Sequence, residues 1–143
     1  MRCWHKDLIP VLPHQQLLAQ WRECCCIAKN ISEQGTPNHI LVNKIMDYPI
    51  KHFIAYAALV RMEMLKRNYK CDGQKFAKWF DEWEDFKIYR KDIFSKWHND
   101  RYFRQCYYNL QEKYDCGGIT EAEWKKIQDR YNGKVFWLNL RNQ

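Results

Sequence analysis

A chain of 143 residues with 46% hydrophobic content is long enough for one buried core and too short for two, so residues 1–143 are expected to form a single domain. Its 24 Lys and Arg outweigh 17 Asp and Glu, giving +7 and a pI near 9.0, which favours a polyanionic partner, either nucleic acid or an anionic membrane surface. No apolar run approaches the roughly 20 residues that span a bilayer, and the 16% aromatic content, with 7 Trp, turns the choice toward nucleic acid, although most of those rings are expected to build the core.

The opening MRCWHKDLIP lacks the apolar stretch of roughly 7 to 15 residues found in a signal peptide, so the chain is expected in the cytoplasm. Pro10 and Pro13 bracket a short loop. Leu17, Leu18, Trp21, Cys24, Cys25 and Ala28 then recur at three and four residues, which predicts an amphipathic helix from about residue 14 to about 29. In a reducing compartment the seven cysteines stay free. The run Cys24-Cys25-Cys26 contains no CxxC pair, and consecutive helical side chains point about 100° apart, so it cannot chelate zinc and no metal is expected. Cys24 and Cys25 read as small buried apolar groups.

Gly35 and Pro37 mark Ser32–Asn38 as a loop, followed by a short apolar segment, Ile40–Met46. Pro49 suits a first helical position, and the stripe Ile50, Phe53, Ile54, Ala57, Ala58, Met64 and Leu65 predicts a central helix to about Tyr69. Asp72-Gly73 breaks the chain before a shorter aromatic helix carrying Phe76, Trp79, Phe80 and Trp83, with an acidic far end. From Lys87 to Arg104 six basic residues face two acidic ones. A further helix over about 99–114 puts Phe103, Cys106, Tyr107, Leu110 and Tyr114 on one face, and Gly117-Gly118 ends it. Thr120 with Glu123 forms a capping box that opens a last helix, and a tail, Tyr131–Gln143, mixes Lys134 and Arg141 with Phe136 and Trp137. With no repeat and no strand alternation, the fold class is all-α, a compact bundle of about four to five helices.

Three stretches narrow this reading. HQQLLAQWRE, residues 14–23, resembles the first helix of the pyrimidine-dimer DNA glycosylase (endonuclease V) family, which delivers an Arg-Glu pair at a fixed distance from the N-terminus; Arg22 and Glu23 match that pair. His39–Asp72 is similar to the family's His-apolar segment, its central helix and the K-R-[GN]-[FY] run closing it. Asn132-Gly133-Lys134 among aromatics resembles the family's C-terminus more weakly.

The resemblance implies an N-terminal α-amine that attacks the sugar carbon bearing a damaged base, displaces the base, and leaves an imine that eliminates to nick the strand. An α-amine, with an ordinary pKa of about 7.7 to 8.0, is partly neutral at physiological pH, whereas a lysine near about 10.4 must first be depressed. Met1 and Glu23 are the catalytic residues so implied, the carboxylate stabilising the cationic sugar and moving protons. Arg2, Arg22, His39, Lys134 and Trp137 are the implied DNA contacts, and the partner is double-stranded damaged DNA, bound by a monomer without cofactor.

Each assignment has a plainer rival. An Arg-Glu pair on a helix is ordinarily a solvated pair contributing no more than about 0.5 kcal/mol. His39 can cap a helix, His98 can sit hydrogen-bonded in the core, and a tail bearing Lys134, Phe136 and Trp137 can pack on the core. The chain also departs from the family pattern. Arg2 replaces the small residue that permits Met removal, so Met1 stays and its own amine must act; Gln16 stands where a histidine is expected, and Cys26 where an arginine would grip phosphate. These departures motivate an alternative, a non-catalytic nucleic-acid-binding module on the same fold. A third reading is a helical protein-interaction domain.

Overall fold

The computed structural model describes residues 1–80 and 88–141, apart from the side chains of residues 136, 137, 139 and 141. Trp83 and the acidic end of the expected aromatic helix, and the side chain of Trp137, lie outside the described residues. Among these residues the architecture is all-α, with α1 (His14–Gln34), α2 (Ile50–Lys66), α3 (Gln74–Ala77), α4 (Asp100–Asp115) and α5 (Glu121–Arg141), joined by short 3-10 helices at Lys6–Val11, Asn43–Asp47 and Arg90–Asp92. Among the described residues there is no strand, and no helix is long and apolar enough to cross a membrane.

α1 packs on α2 and α3, α4 packs on α5, and the first 3-10 helix bridges the two groups by touching both α2 and α5. Each helix buries one stripe, as its spacing dictates: Leu17, Trp21, Cys24 and Ile27 from α1, Phe53, Tyr56, Ala57 and Val60 from α2, and Phe103, Cys106 and Leu110 from α4. The α4–α5 seam is aromatic, with the rings of Tyr107 and Tyr131 stacked at 3.8 Å and Trp124 between Tyr107 and Tyr114. Cys24 is fully buried, Cys25 is half-buried and Cys26 is exposed, and all seven cysteines are free.

Chain punctuation accounts for most helix ends. The Asn99 side chain caps α4 by accepting from Tyr102 N at 2.9 Å, and Gly117, at φ 83°, closes its far end. In the capping box of α5, Glu123 N donates to Thr120 Oγ1 and Thr120 N donates to Glu123 Oε1, both at 3.2 Å. Glu123 also accepts from His14 N at 2.8 Å, tying the start of α1 to the start of α5.

Five boundaries differ from the sequence expectation. The Pro10 region is a 3-10 helix and not a loop, because Arg67 donates to the carbonyls of Leu12 at 2.8 Å and Pro10 at 3.2 Å and satisfies its C-terminal end. α1 runs to Gln34 because nothing breaks it before Gly35, whose left-handed φ of 75° supplies the cap. α2 stops at Lys66, short of Tyr69, since Asn68 takes φ 62° and turns the chain. That explains Arg67-Asn68: one residue grips the 3-10 helix and the next tolerates the left-handed bend. The tail is a continuation of α5 to Arg141, held by the Tyr107–Tyr131 stack and by Lys134, whose Nζ lies 2.9 Å from Asp7. Beyond Gly73 the helix α3 is only four residues long, ending at Ala77.

Candidate active site

The first five residues form no helix and thread between α1, α2 and α4, with Cys3, Trp4 and His5 almost wholly buried. Buried backbone groups outside helices need side-chain partners. Gln20, fully buried on α1, supplies two at once: its Oε1 accepts from Trp4 N at 2.8 Å and its Nε2 donates to the Arg2 carbonyl at 2.8 Å. The Tyr56 hydroxyl from α2 donates to the Trp4 carbonyl at 2.6 Å, and the Tyr102 hydroxyl from α4 donates to the Cys3 carbonyl at 2.5 Å.

The next turn is held by histidines. His5 Nδ1 accepts from Asp7 N at 3.0 Å, so its proton sits on Nε2 and is donated to the His98 carbonyl at 2.9 Å. His98 Nδ1 in turn accepts from Lys6 N at 3.0 Å. Burial keeps both imidazoles neutral, pushing His5 down to about 4 and His98 well below its usual value. His98 is therefore a core histidine that fixes the N-terminal segment. Lys6, also buried, donates from Nζ to the carbonyls of Lys91 at 2.8 Å and Ile93 at 2.6 Å, which makes it a structural cation.

This clamp delivers the chain terminus to Glu23. Glu23 lies one helical turn after Gln20, so the side chain that fixes Arg2 and the carboxylate share a face of α1. Glu23 Oε2 accepts from Arg2 N at 3.1 Å, and Oε1 stands 3.9 Å from the Met1 nitrogen. The pair sits in an open cleft of about 450 Å³ walled by Met1, Arg2, Gln16, Arg22, Glu23 and Lys113 among others. Among the described residues Glu23 is the one carboxylate lining it, against the cations Arg2, Arg22 and Lys113, so the cleft attracts anions. Arg22 is exposed, whereas Arg2 is half-buried, its guanidinium 5.2 Å from the centre of the Trp4 ring. Gln16 Oε1 is buried with no hydrogen-bond partner among the described residues.

Nucleophiles other than the amine are poorly suited here. Cys3 and Cys24 are fully buried, and burial, with a further contribution from the Glu23 charge, pushes both thiols well up, so they stay protonated at neutral pH. Among the described residues no group of three or more His, Cys, Asp or Glu could hold a metal ion.

Of the residues singled out in the sequence, Met1, Arg2, Arg22 and Glu23 converge on this cleft. His39 does not line it: its Nδ1 accepts from Leu41 N at 3.2 Å and shapes a turn. Lys134 lines a different cavity of about 600 Å³, beside Arg90 and Arg130, and there it is paired to Asp7. His98 takes the hydrogen-bonded core place that the sequence offered as one reading, whereas Gln20, Tyr56 and Tyr102, the rest of the scaffold of the terminus, lie outside the sequence reading. One signal was available, a glutamine inside the apolar stripe of α1.

Gln20→Ala is expected to strand the Trp4 N–H and the Arg2 carbonyl and to open a cavity, costing about 3 kcal/mol. A melting temperature lower by about 10 °C is the readout, and an unchanged one would show that the terminus is held without it.

A family model described as pyrimidine dimer DNA glycosylase matches residues 1–76, which include the terminal segment, α1, the Ile40–Leu41 turn and α2. No curated protein and no solved structure matches the chain. The match covers more than half of the 143 residues and contains both Met1 and Glu23, and on that evidence the chain belongs to the pyrimidine dimer DNA glycosylase family.

Proposed function

We propose that the chain, as a single domain and a monomer, is a DNA glycosylase with abasic-site lyase activity on damaged duplex DNA, in which the Met1 amine is the nucleophile and Glu23 its partner. The observation that carries this reading is the 3.9 Å approach of the Met1 nitrogen to Glu23 Oε1 in an open, cationic cleft. The neutral amine attacks C1′ of the damaged nucleotide; the glycosidic bond breaks and its electron pair leaves with the base, which takes up a proton. The C1′–O4′ bond then breaks with its electron pair to O4′, the nitrogen lone pair forms the imine at C1′, and of the two amine protons one is passed to the departing base and the other to O4′. Removal of a C2′ proton then expels the 3′ phosphate with the C3′–O electron pair, and the strand is nicked. Water releases the amine.

Glu23 supports each charged stage. Its carboxylate faces the cationic sugar as the base departs, and it is placed to shuttle protons to and from the amine nitrogen, directly or through one water. Its hydrogen bond from Arg2 N holds it there while leaving Oε1 toward Met1. Arg22 and Lys113 supply positive charge for flanking phosphates, and Arg2 completes the rim. A damaged or mismatched nucleotide leaves the stack most readily, so the cleft would take a nucleotide flipped out of the duplex.

A second reading, a binding module without chemistry, draws on Arg2 and Gln16, which depart from the family pattern, and on Cys26, exposed where a cation would grip phosphate. One experiment separates them. Untagged protein incubated with an abasic or ultraviolet-irradiated duplex and borohydride is expected to form a covalent adduct through Met1. A few residues fused ahead of Met1 should abolish the adduct while changing DNA affinity less than about threefold, since an N-terminal extension blocks the amine and removes no phosphate contact. No adduct from the untagged protein with either duplex would leave the binding module as the reading.

A further inference from the structure

We propose that the Ile40–Leu41 turn is an apolar wedge that enters the base stack of duplex DNA and fills the gap left by the flipped nucleotide. This rests on the glycosylase reading and adds to it a device for opening the duplex. Ile40 is 85% exposed and Leu41 is 49% exposed, an arrangement with no benefit to folding. Both sit on a braced turn. Val42 N and Asn43 N donate to the His39 carbonyl at 3.0 and 2.9 Å, Asn43 Oδ1 accepts from His39 N at 3.0 Å, and the His39 ring accepts from Leu41 N. Immediately behind, Val42 and Ile45 are sealed in the core. The two exposed side chains are thus presented on a stiff support.

Position and charge point to DNA as the occupant. Leu41 lines the Glu23 cleft and also an adjoining cavity of about 330 Å³ that Ile40, Lys44 and Arg101 share, so the turn is a ridge between two concavities. Cations stand on both sides: Arg22 and Lys113 toward Glu23, Lys44 and Arg101 beyond. Among the described residues no carboxylate lines the second cavity. The centre of a protein–protein interface is depleted in charge, whereas a short apolar tip between cations matches a base step between two phosphate rows. Minor-groove proteins insert such side chains between base pairs, replacing lost stacking contacts and kinking the duplex.

The test compares Ile40→Ser, and Ile40→Ser with Leu41→Ser, against the unsubstituted protein. Substrates are a duplex carrying one pyrimidine dimer and a single-stranded abasic oligonucleotide, and a 2-aminopurine placed beside the lesion reports unstacking. Ile40→Ser is expected to slow duplex nicking by about tenfold, and the double variant further, with the single-strand adduct for Ile40→Ser within about twofold and the 2-aminopurine signal on binding reduced. Equal slowing on both substrates, or an unchanged duplex rate, overturns the wedge, as does a partner protein that binds through Ile40 while the fluorescence response is unaltered. Should the double variant fail to fold, Ile40→Ser carries the same comparison, since that side chain lies outside the core. A protein that forms no adduct at all would defeat the glycosylase reading instead, and the fluorescence difference between unsubstituted and Ile40→Ser protein would still decide the wedge.

Discussion

Glu23→Gln is expected to lower the strand-nicking rate by about 10²- to 10⁴-fold, the range typical of a positioned proton-transfer group, with DNA affinity nearly unchanged. Glutamine is an isosteric substitution, and its carbonyl oxygen can still accept from Arg2 N, so the N-terminal segment keeps its place on α1. What disappears is the negative charge 3.9 Å from the Met1 nitrogen and the capacity to move a proton there. Charge opposite the developing sugar cation matters in the transition state far more than in the bound complex, so the loss should appear in the rate of the chemical step and not in binding. Single-turnover nicking of an abasic duplex, alongside fluorescence anisotropy with the same duplex, separates the two quantities. A nicking rate within about twofold of the original would remove Glu23 from the mechanism, because no general acid–base or electrostatic role is that small.

The second large effect is acid lability centred on the N-terminal clamp. His5 is buried and neutral, with burial pushing it down to about 4 from an ordinary 6.5. The unfolded chain therefore binds a proton on this ring below about pH 6.5 that the folded protein refuses until about pH 4. Stability from His5 is fully present above 6.5, falls as the pH drops through that window, and is gone near 4, a loss on the order of 3 kcal/mol. His98, also driven down by burial, acts in the same direction. Asp7, whose carboxyl is held below its usual value by the Lys134 ammonium, adds a further loss only at lower pH.

Urea unfolding at pH 7.5, 5.5 and 4.5 should show the decline. His5→Asn is expected to be less stable at pH 7.5 but to have a flatter profile between 6.5 and 4.5. A flat profile in the unsubstituted protein would mean that protonation of His5 is accommodated in the folded state. Because His5 and His98 fix the residues that bring Met1 to Glu23, adduct formation should decline over the same window.

Much of this molecule can be read from residue order. Stripes at three- and four-residue spacing place α1, α2 and α4, because an amphipathic helix must bury one face wherever it sits. Local chemistry places their ends: the Thr120–Glu123 box, Asn99 and Gly117 act within one turn and need no distant partner. The pairing of Met1 with Glu23 also came from the sequence, though by resemblance to a family and not from spacing. Other features depend on contacts across the chain. Arg67 holds the first 3-10 helix from 55 residues away, and Asp7 and Tyr107 keep α5 helical through Lys134 and Tyr131. Gln20, Tyr56, Tyr102 and His98 meet around residues 2–6 only when three helices close on them. No local pattern encodes such a meeting, because the partners of an extended buried backbone are chosen by packing geometry. The fold class is a property of periodicity. The placement of an amine beside a carboxylate is a property of what the folded helices enclose.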